Sequence, residues 1–441
     1  MKNPGTVQQK IGLSIAFSVV VANMIGTGVF TSLGFLVVDI HSVFVLLMLW
    51  FTGGLIALSG AFSYSELTSA LPRSGGEYHF LSELYNPFLG FLAGWVSVFI
   101  GFAAPTALAA MAMAKYVETI HPVGNPSVIA VAVIIILSSV HSFQIKYGGR
   151  FQLIVTLIKV SLILVIIVAG FMVSSHPVIS FLPVKEDFSG LFSASFAVSL
   201  IFVSYSFSGW NAAVYITNEV KKPSRNIPVA LIAGTALVTL LYILLNLVFL
   251  LTTPVQEMQG KIEIGFLAAV HIFGESGGRI MSLIISLLLI SSISAMIWIG
   301  PRVSMVMGED HALLRFLSRK NKYSVPVTAI WTQAAISVIL ILSSTFDKVL
   351  IYTGFTLNIF TLLSVFGVFL LRYRNRRDTG KYRMPGFPVT PIFFIALSLW
   401  TLIFLFIDRT FESLMGMITI LAGSLVFVVQ KLLDKNDSTN Y

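Results

Sequence analysis

Twelve stretches of this chain are apolar over about the length a helix needs to cross a bilayer, and most of its charge falls between them. They lie near 11–37, 43–70, 87–117, 127–143, 151–174, 190–218, 228–252, 279–308, 326–345, 348–371, 388–407 and 410–431. A membrane helix takes roughly 20 apolar residues, about twice what a barrel strand needs. The alternation of a barrel strand is also missing. Only 11% of the residues are charged and 56% are hydrophobic, against about 25% charged in a soluble domain. A water-soluble fold of this size would lack polar surface. The reading is therefore an all-α integral membrane protein in the lipid bilayer, a single transmembrane domain over 1–441. No loop is long enough for an added soluble module, and no small-residue cleavage pattern follows the polar start MKNPGTVQQK, so no removable signal peptide is expected. Periodicity within the runs says little, because helices surrounded by lipid are apolar all round.

Lysine and arginine set the orientation. With the N-terminus inside, cytoplasmic segments hold 21 of the 28 basic residues, outside segments hold five, and Lys115 and Lys159 sit within spans. The densest group is Arg372, Arg374, Arg376, Arg377, Lys381 and Arg383. Both termini are expected in the cytoplasm, in a plasma or bacterial inner membrane. The net charge of +9 is thus a topology signal with some attraction to anionic lipid, and nucleic acid is not an expected partner. The longest outside loop, 253–278, contains IGFLAAVHIF, too short to span and expected to form a small surface helix.

Two spans are interrupted. The first contains NMIGTGVF at 23–30 and the sixth SYSFSGWN at 204–211, both mid-span. Each glycine costs about 1 kcal/mol in a helix relative to alanine. Broken backbone at membrane depth is tolerated where protein or a wet cavity satisfies it. Interrupted spans at matching places in two halves point to a 5+5 inverted-repeat secondary transporter, with repeats at about 11–174 and 190–371 and two extra helices over about 388–431. At each break, free N–H groups attract a carboxylate and free carbonyls an ammonium. Together they suit an α-amino acid zwitterion. The competing reading is that these glycines serve helix packing.

Lys159 lies near the middle of the fifth span, about 12 Å from its start at 1.5 Å per residue. Such a lysine marks a functional site unless it snorkels to an interface. It is either a fixed cation that holds the broken span where another transporter might hold Na⁺, or a titrating group that carries a proton.

With these residues in place, the chain resembles the amino acid–polyamine–organocation superfamily. It is most similar to the L-type amino acid transporter branch and its bacterial serine/threonine and alanine/serine exchangers. The carriers of the resemblance are IGTGVF (25–30), YSELTSALPRSGGEYHFL (64–81), GFLAGW (90–95), KYGGRFQ (146–152), FSGWN (207–211), NEVKKPSRNIP (218–228) and PRVSMVMGED (301–310). The resemblance implies a carboxylate cradle at Gly26, Thr27 and Gly28. It implies ammonium-binding carbonyls at Met24, Tyr205 and Ser208, and an aromatic gate at Tyr205, where many relatives have Phe or Trp. Asn211 matches a pocket asparagine. Lys159 matches the lysine that takes the place of a sodium site, and Tyr242 matches a tyrosine near it. Animal members join a heavy chain through a cystine, which a chain with no Cys cannot do.

Other features have plainer readings. Glu66 and Glu219 are read as cytoplasmic caps or salt bridges, near Arg73 and near Lys221, Lys222 and Arg225. Pro105 and Pro301 are read as helix kinks. The seven histidines form no HExxH and no GxxxxGK[ST] occurs, so no metal, no ATP motor and no other cofactor is expected, and no enzyme. Ser206 and Ser208 line the sixth-span break and no acidic side chain sits at either break. The expected substrate is therefore a small to medium neutral L-amino acid. The leading expectation is sodium-independent exchange by alternating access, and the alternative is proton-coupled symport in the same fold.

Overall fold

A computed structural model describes residues 11–122, 124–143, 149–173, 183–374 and 382–439. The start of the KYGGRFQ motif (146–148) and the basic residues Arg376, Arg377 and Lys381 lie outside the described residues. The order is α1 (Leu13–Met24), α2 (Gly28–Asp39), α3 (Val43–Ala70), α4 (Glu77–Leu84) and α5 (Pro87–Val96), then a π-helical turn (Ser97–Gly101). Next come α6 (Ala103–Ile120), α7 (Pro126–His141), α8 (Gly149–Met172), α9 (Lys185–Gly190), α10 (Ala194–Ser206) and a 3-10 segment (Ala212–Glu219). After these follow α11 (Pro223–Thr252), α12 (Val255–Met258), α13 (Ile264–Asp310), a 3-10 segment (Ala312–Ser318), α14 (Val327–Ser343), α15 (Phe346–Arg374), α16 (Val389–Asp408) and α17 (Thr410–Thr439). Among the described residues there is no strand, only one isolated bridge between Ile11 and Val220.

Among the described residues, nine helices, counting α1 with α2 and α5 with α6, are long and apolar enough to cross a membrane, and α7, α10 and α14 are shorter apolar helices. These elements account for a multi-pass membrane protein. Their starts are written locally. Asn86 accepts from Leu89 N at 3.0 Å with Pro87 in the first turn, and Asn125 accepts from Ser127 N at 3.0 Å with Pro126. Ser42 and Ser193 cap α3 and α10 in the same way. A side-chain cap satisfies one of the donors that every helix start leaves open.

The structure adds detail to four expectations. The segment at 264–273 is a helix, yet it continues into α13 past Gly274, whose φ is +77°. It is also partly inside the bundle, with Ile264, Gly265, Ala268 and Ala269 buried. The one non-helical backbone conformation within α13 is at Gly274, not at Pro301. Pro105 is the third residue of α6, four residues after the π-helical turn ends at Gly101, and its missing N–H removes a rung of the helix. Glu66 forms the expected salt bridge, with Arg372 of α15 as its partner and not the nearby Arg73.

That pair is bidentate, with Arg372 Nε to Oε1 and Nη2 to Oε2 both 2.7 Å, and Met384 N donates to Oε2 at 2.8 Å. The guanidinium also lies over the Phe387 ring at 3.9 Å. The contact ties α3 to α15 and to the loop before α16. Arg372→Ala would leave the buried Glu66 carboxylate without its cation, at a cost of about 3–5 kcal/mol. We expect a clear fall in the detergent melting temperature of the purified protein; an unchanged melting curve would remove this tie from the account.

The core sits where α3, α8 and α1 pack on α11 and where α6 packs on α13. Trp50, Tyr64, Tyr116 and Tyr242 are its largest fully buried side chains. On α16 the outward residues Ile403, Phe406 and Ile407 are apolar and exposed, as a lipid-facing surface requires.

Candidate functional site

The first break is three residues long. The helix α1 stops at Met24, Ile25 leaves helical geometry with ψ 84°, Gly26 N turns back on Met24 O at 2.8 Å, and α2 begins at Gly28. Lys159 of α8, buried at 3% exposure, closes the end of α1. Its Nζ donates to Ala22 O at 3.2 Å, to Ile25 O at 2.8 Å and to Ser292 Oγ at 2.8 Å. An ammonium has three donors, and here each has an acceptor. A helix C-terminus carries partial negative charge, so the cation sits where the backbone field favours it.

The second break follows α10. Phe207 N still reaches Val203 O, but Ser208 N turns onto Tyr205 O at 2.9 Å and Trp210 N onto Phe207 O at 3.3 Å. Gly209 then takes φ +94°. A Cβ there would fall 2.8 Å from the Asn23 carbonyl carbon, so the two broken backbones touch at this point.

Three hydroxyl contacts join the breaks. Thr27 Oγ1 and Tyr205 Oη are 2.9 Å apart, and so are Ser32 Oγ and Ser206 Oγ. Tyr242 Oη of α11 lies 2.5 Å from Met24 O and 3.2 Å from Ser206 O. Gly28 is packed so tightly that a Cβ would lie 2.4 Å from Ser206 Cα.

Beside the breaks is a cavity of about 200 Å³. Tyr205, Ser208 and Asn211 line it; Met24, Gly26, Thr27, Gly28 and Ser206 do not. The reason is local. The Tyr205 side chain spans from the cavity wall to Thr27, and Met24 O is occupied by the Tyr242 hydroxyl. Lys159 and Tyr242 also lie off the cavity wall and act on the backbone of the breaks.

The sequence reading missed Asn23, Glu77, Tyr215 and Asn358, all in the wall. Asn23 spends its Nδ2 on Val19 O at 2.7 Å, which leaves its carbonyl oxygen as an acceptor. Asn358, a polar residue in the interior of the apolar α15, carried a usable signal. Glu77 carried one too, at the Gly-Gly turn before α4.

Broken helices meeting at a cavity, inside a bundle of membrane-length helices, define a membrane carrier. The chain belongs to the amino acid permease family, whose model matches residues 11–427. It is similar to the serine/threonine exchanger SteT of Bacillus subtilis (strain 168), 29% identical over 430 residues, 96% of this chain and 97% of that protein. It is also similar to the human b(0,+)-type amino acid transporter 1, 27% identical over 96% of this chain and 88% of the relative. The human cystine/glutamate transporter is 26% identical over 89% and 81%. These relatives are transporters, and the protein is a membrane transporter for amino acids, not an enzyme.

Proposed function

We propose that the protein is a sodium-independent exchanger of neutral L-amino acids that works by alternating access around the two breaks. The observation that carries this reading is Lys159, whose three donors are all committed to the carbonyls of Ala22 and Ile25 and to Ser292. A tethered cation at the end of a broken helix does the electrostatic work for which a sodium-coupled carrier would need an ion. In this reading the ammonium is a fixed part of the scaffold, with each of its protons held by an acceptor. The names of the exchanger relatives lend the reading further support.

In this account the α-carboxylate docks on the backbone N–H groups of Gly26, Thr27 and Gly28 at the start of α2, with Gly26 N leaving Met24 O as it does so. The ammonium meets carbonyls at Met24, Tyr205 and Ser208. Ser206 and Asn211 complete the site. Tyr205 is the gate: its phenol releases Thr27 and the ring moves away when substrate passes from the cavity to the break. The twelve apolar runs all cross the membrane, as a 5+5 inverted repeat followed by α16 and α17, with both termini in the cytoplasm of a plasma or bacterial inner membrane.

The deciding test is an inward pH gradient imposed on empty, sodium-free proteoliposomes. Exchange predicts no accumulation of labelled serine under that gradient. Accumulation would instead make the protein a proton-coupled symporter, with a titrating group in the transport cycle.

A further inference from the structure

Among the described residues, the cavity wall contains one carboxylate and no lysine, arginine or histidine. The carboxylate is Glu77, from outside both breaks. Gly75 and Gly76, at φ +127° and +57°, turn the chain ahead of α4, and the Tyr215 ring packs where a Gly76 Cβ would be. A left-handed double glycine of this kind lets the first residue of α4 enter the bundle, where Glu77 is 6% exposed. Oε1 accepts from Tyr64 Oη and from Asn211 Nδ2, each at 2.8 Å, and Oε2 accepts from Tyr215 Oη at 2.6 Å. Among the described residues no cation forms an ion pair with it.

We infer that Glu77 is a specificity-determining residue of the cavity, which rejects amino acids with anionic side chains and admits those with cationic ones as well as neutral ones. This rests on reading the cavity as the amino acid site. The three neighbours all act as donors, the arrangement that suits an ionised carboxylate. An ionised carboxylate offers about four acceptor positions, so one remains for a donor brought in by a ligand. Removing a carboxylate from water costs roughly several kcal/mol when no cation is near. An ammonium or guanidinium entering the cavity offsets that cost, and a second carboxylate adds to it. The aromatic faces of Phe102, Trp210 and Tyr215 in the same wall also suit a cationic side chain. The contrary view is that Glu77 only clamps α3 to the segment after the second break. A clamp would act on every substrate alike.

The test is competition against labelled serine in serine-loaded proteoliposomes, using L-serine, L-lysine and L-glutamate, on the wild type and on Glu77→Gln and Glu77→Asp. In the wild type, lysine should compete and glutamate should not. In Glu77→Gln, lysine should lose about tenfold or more relative to serine, the worth of a charge-assisted hydrogen bond, and Glu77→Asp should retain part of it. Equal losses for serine and lysine, or a wild type indifferent to lysine, would overturn the inference. Direct binding of labelled lysine to the purified protein gives the same comparison for any variant that exchanges poorly. Wild-type vesicles with no serine exchange, but with lysine binding that depends on Glu77, would sink the exchange reading and leave this one standing.

Discussion

Lys159→Ala is expected to lower amino acid exchange by about a hundredfold or more while the protein still inserts and purifies as a single species. The alanine leaves Ala22 O and Ile25 O without the donor they have in the wild type, at the end of α1. Each buried polar group left unsatisfied costs about 1–3 kcal/mol, and a loss of about 2.7 kcal/mol is already a factor of a hundred. The end of α1 would then drift from its position against Tyr242 and Ser206, and the proposed substrate site would lose its shape. Near-normal flux in this variant would make the lysine a bystander. A protein that aggregates on extraction would show instead that it is needed for folding.

The second large effect belongs to Gly28→Val. Close approach of a carboxylate to bare backbone is one reason for a glycine here, but the geometry supplies a more immediate one. A Cβ at Gly28 would meet Ser206 Cα at 2.4 Å and Ser206 Cβ at 2.7 Å, distances at which backbone has to move. Overpacking typically costs about 1–3 kcal/mol, and here the strain lies between the two breaks. We expect loss of measurable substrate binding together with a lower melting temperature. Gly12→Ala, whose Cβ would meet nothing within 4 Å, is the matched control and should behave as wild type. Unchanged affinity in Gly28→Val would move the substrate site away from this break.

The architecture was legible because the apolar runs are long and the breaks are rich in glycine and serine. Gly-Thr-Gly cannot continue a membrane helix without cost, and the helix stops there. The run at 190–218 was less clear, since only 13 of its residues form the regular helix α10. Residues 190–193 come before it, and the turn at Phe207 to Asn211 and the 3-10 segment come after it. Which way side chains point was not legible, because a helix that is apolar all round has no marked face. Tyr242 could be placed near Lys159 only through resemblance, whereas its hydroxyl in fact bridges Met24 O and Ser206 O.

Glu77 shows the limit most clearly. The neutral-substrate reading relied on the absence of an acid at either break, and that absence is real in the local sequence. The acid of the cavity comes from a connector, and two left-handed glycines bring it to Asn211. Long-range pairings of this kind, like Glu66 with Arg372, depend on packing among helices distant along the chain.

We propose that two broken helices, held by Lys159, form a sodium-independent exchange site. Its most direct test is uptake of labelled serine into sodium-free proteoliposomes, with no pH gradient, either empty or loaded with unlabelled serine. The account predicts rapid uptake into loaded vesicles and almost none into empty ones. Equal uptake in both, or uptake that appears only when sodium is added, would contradict it.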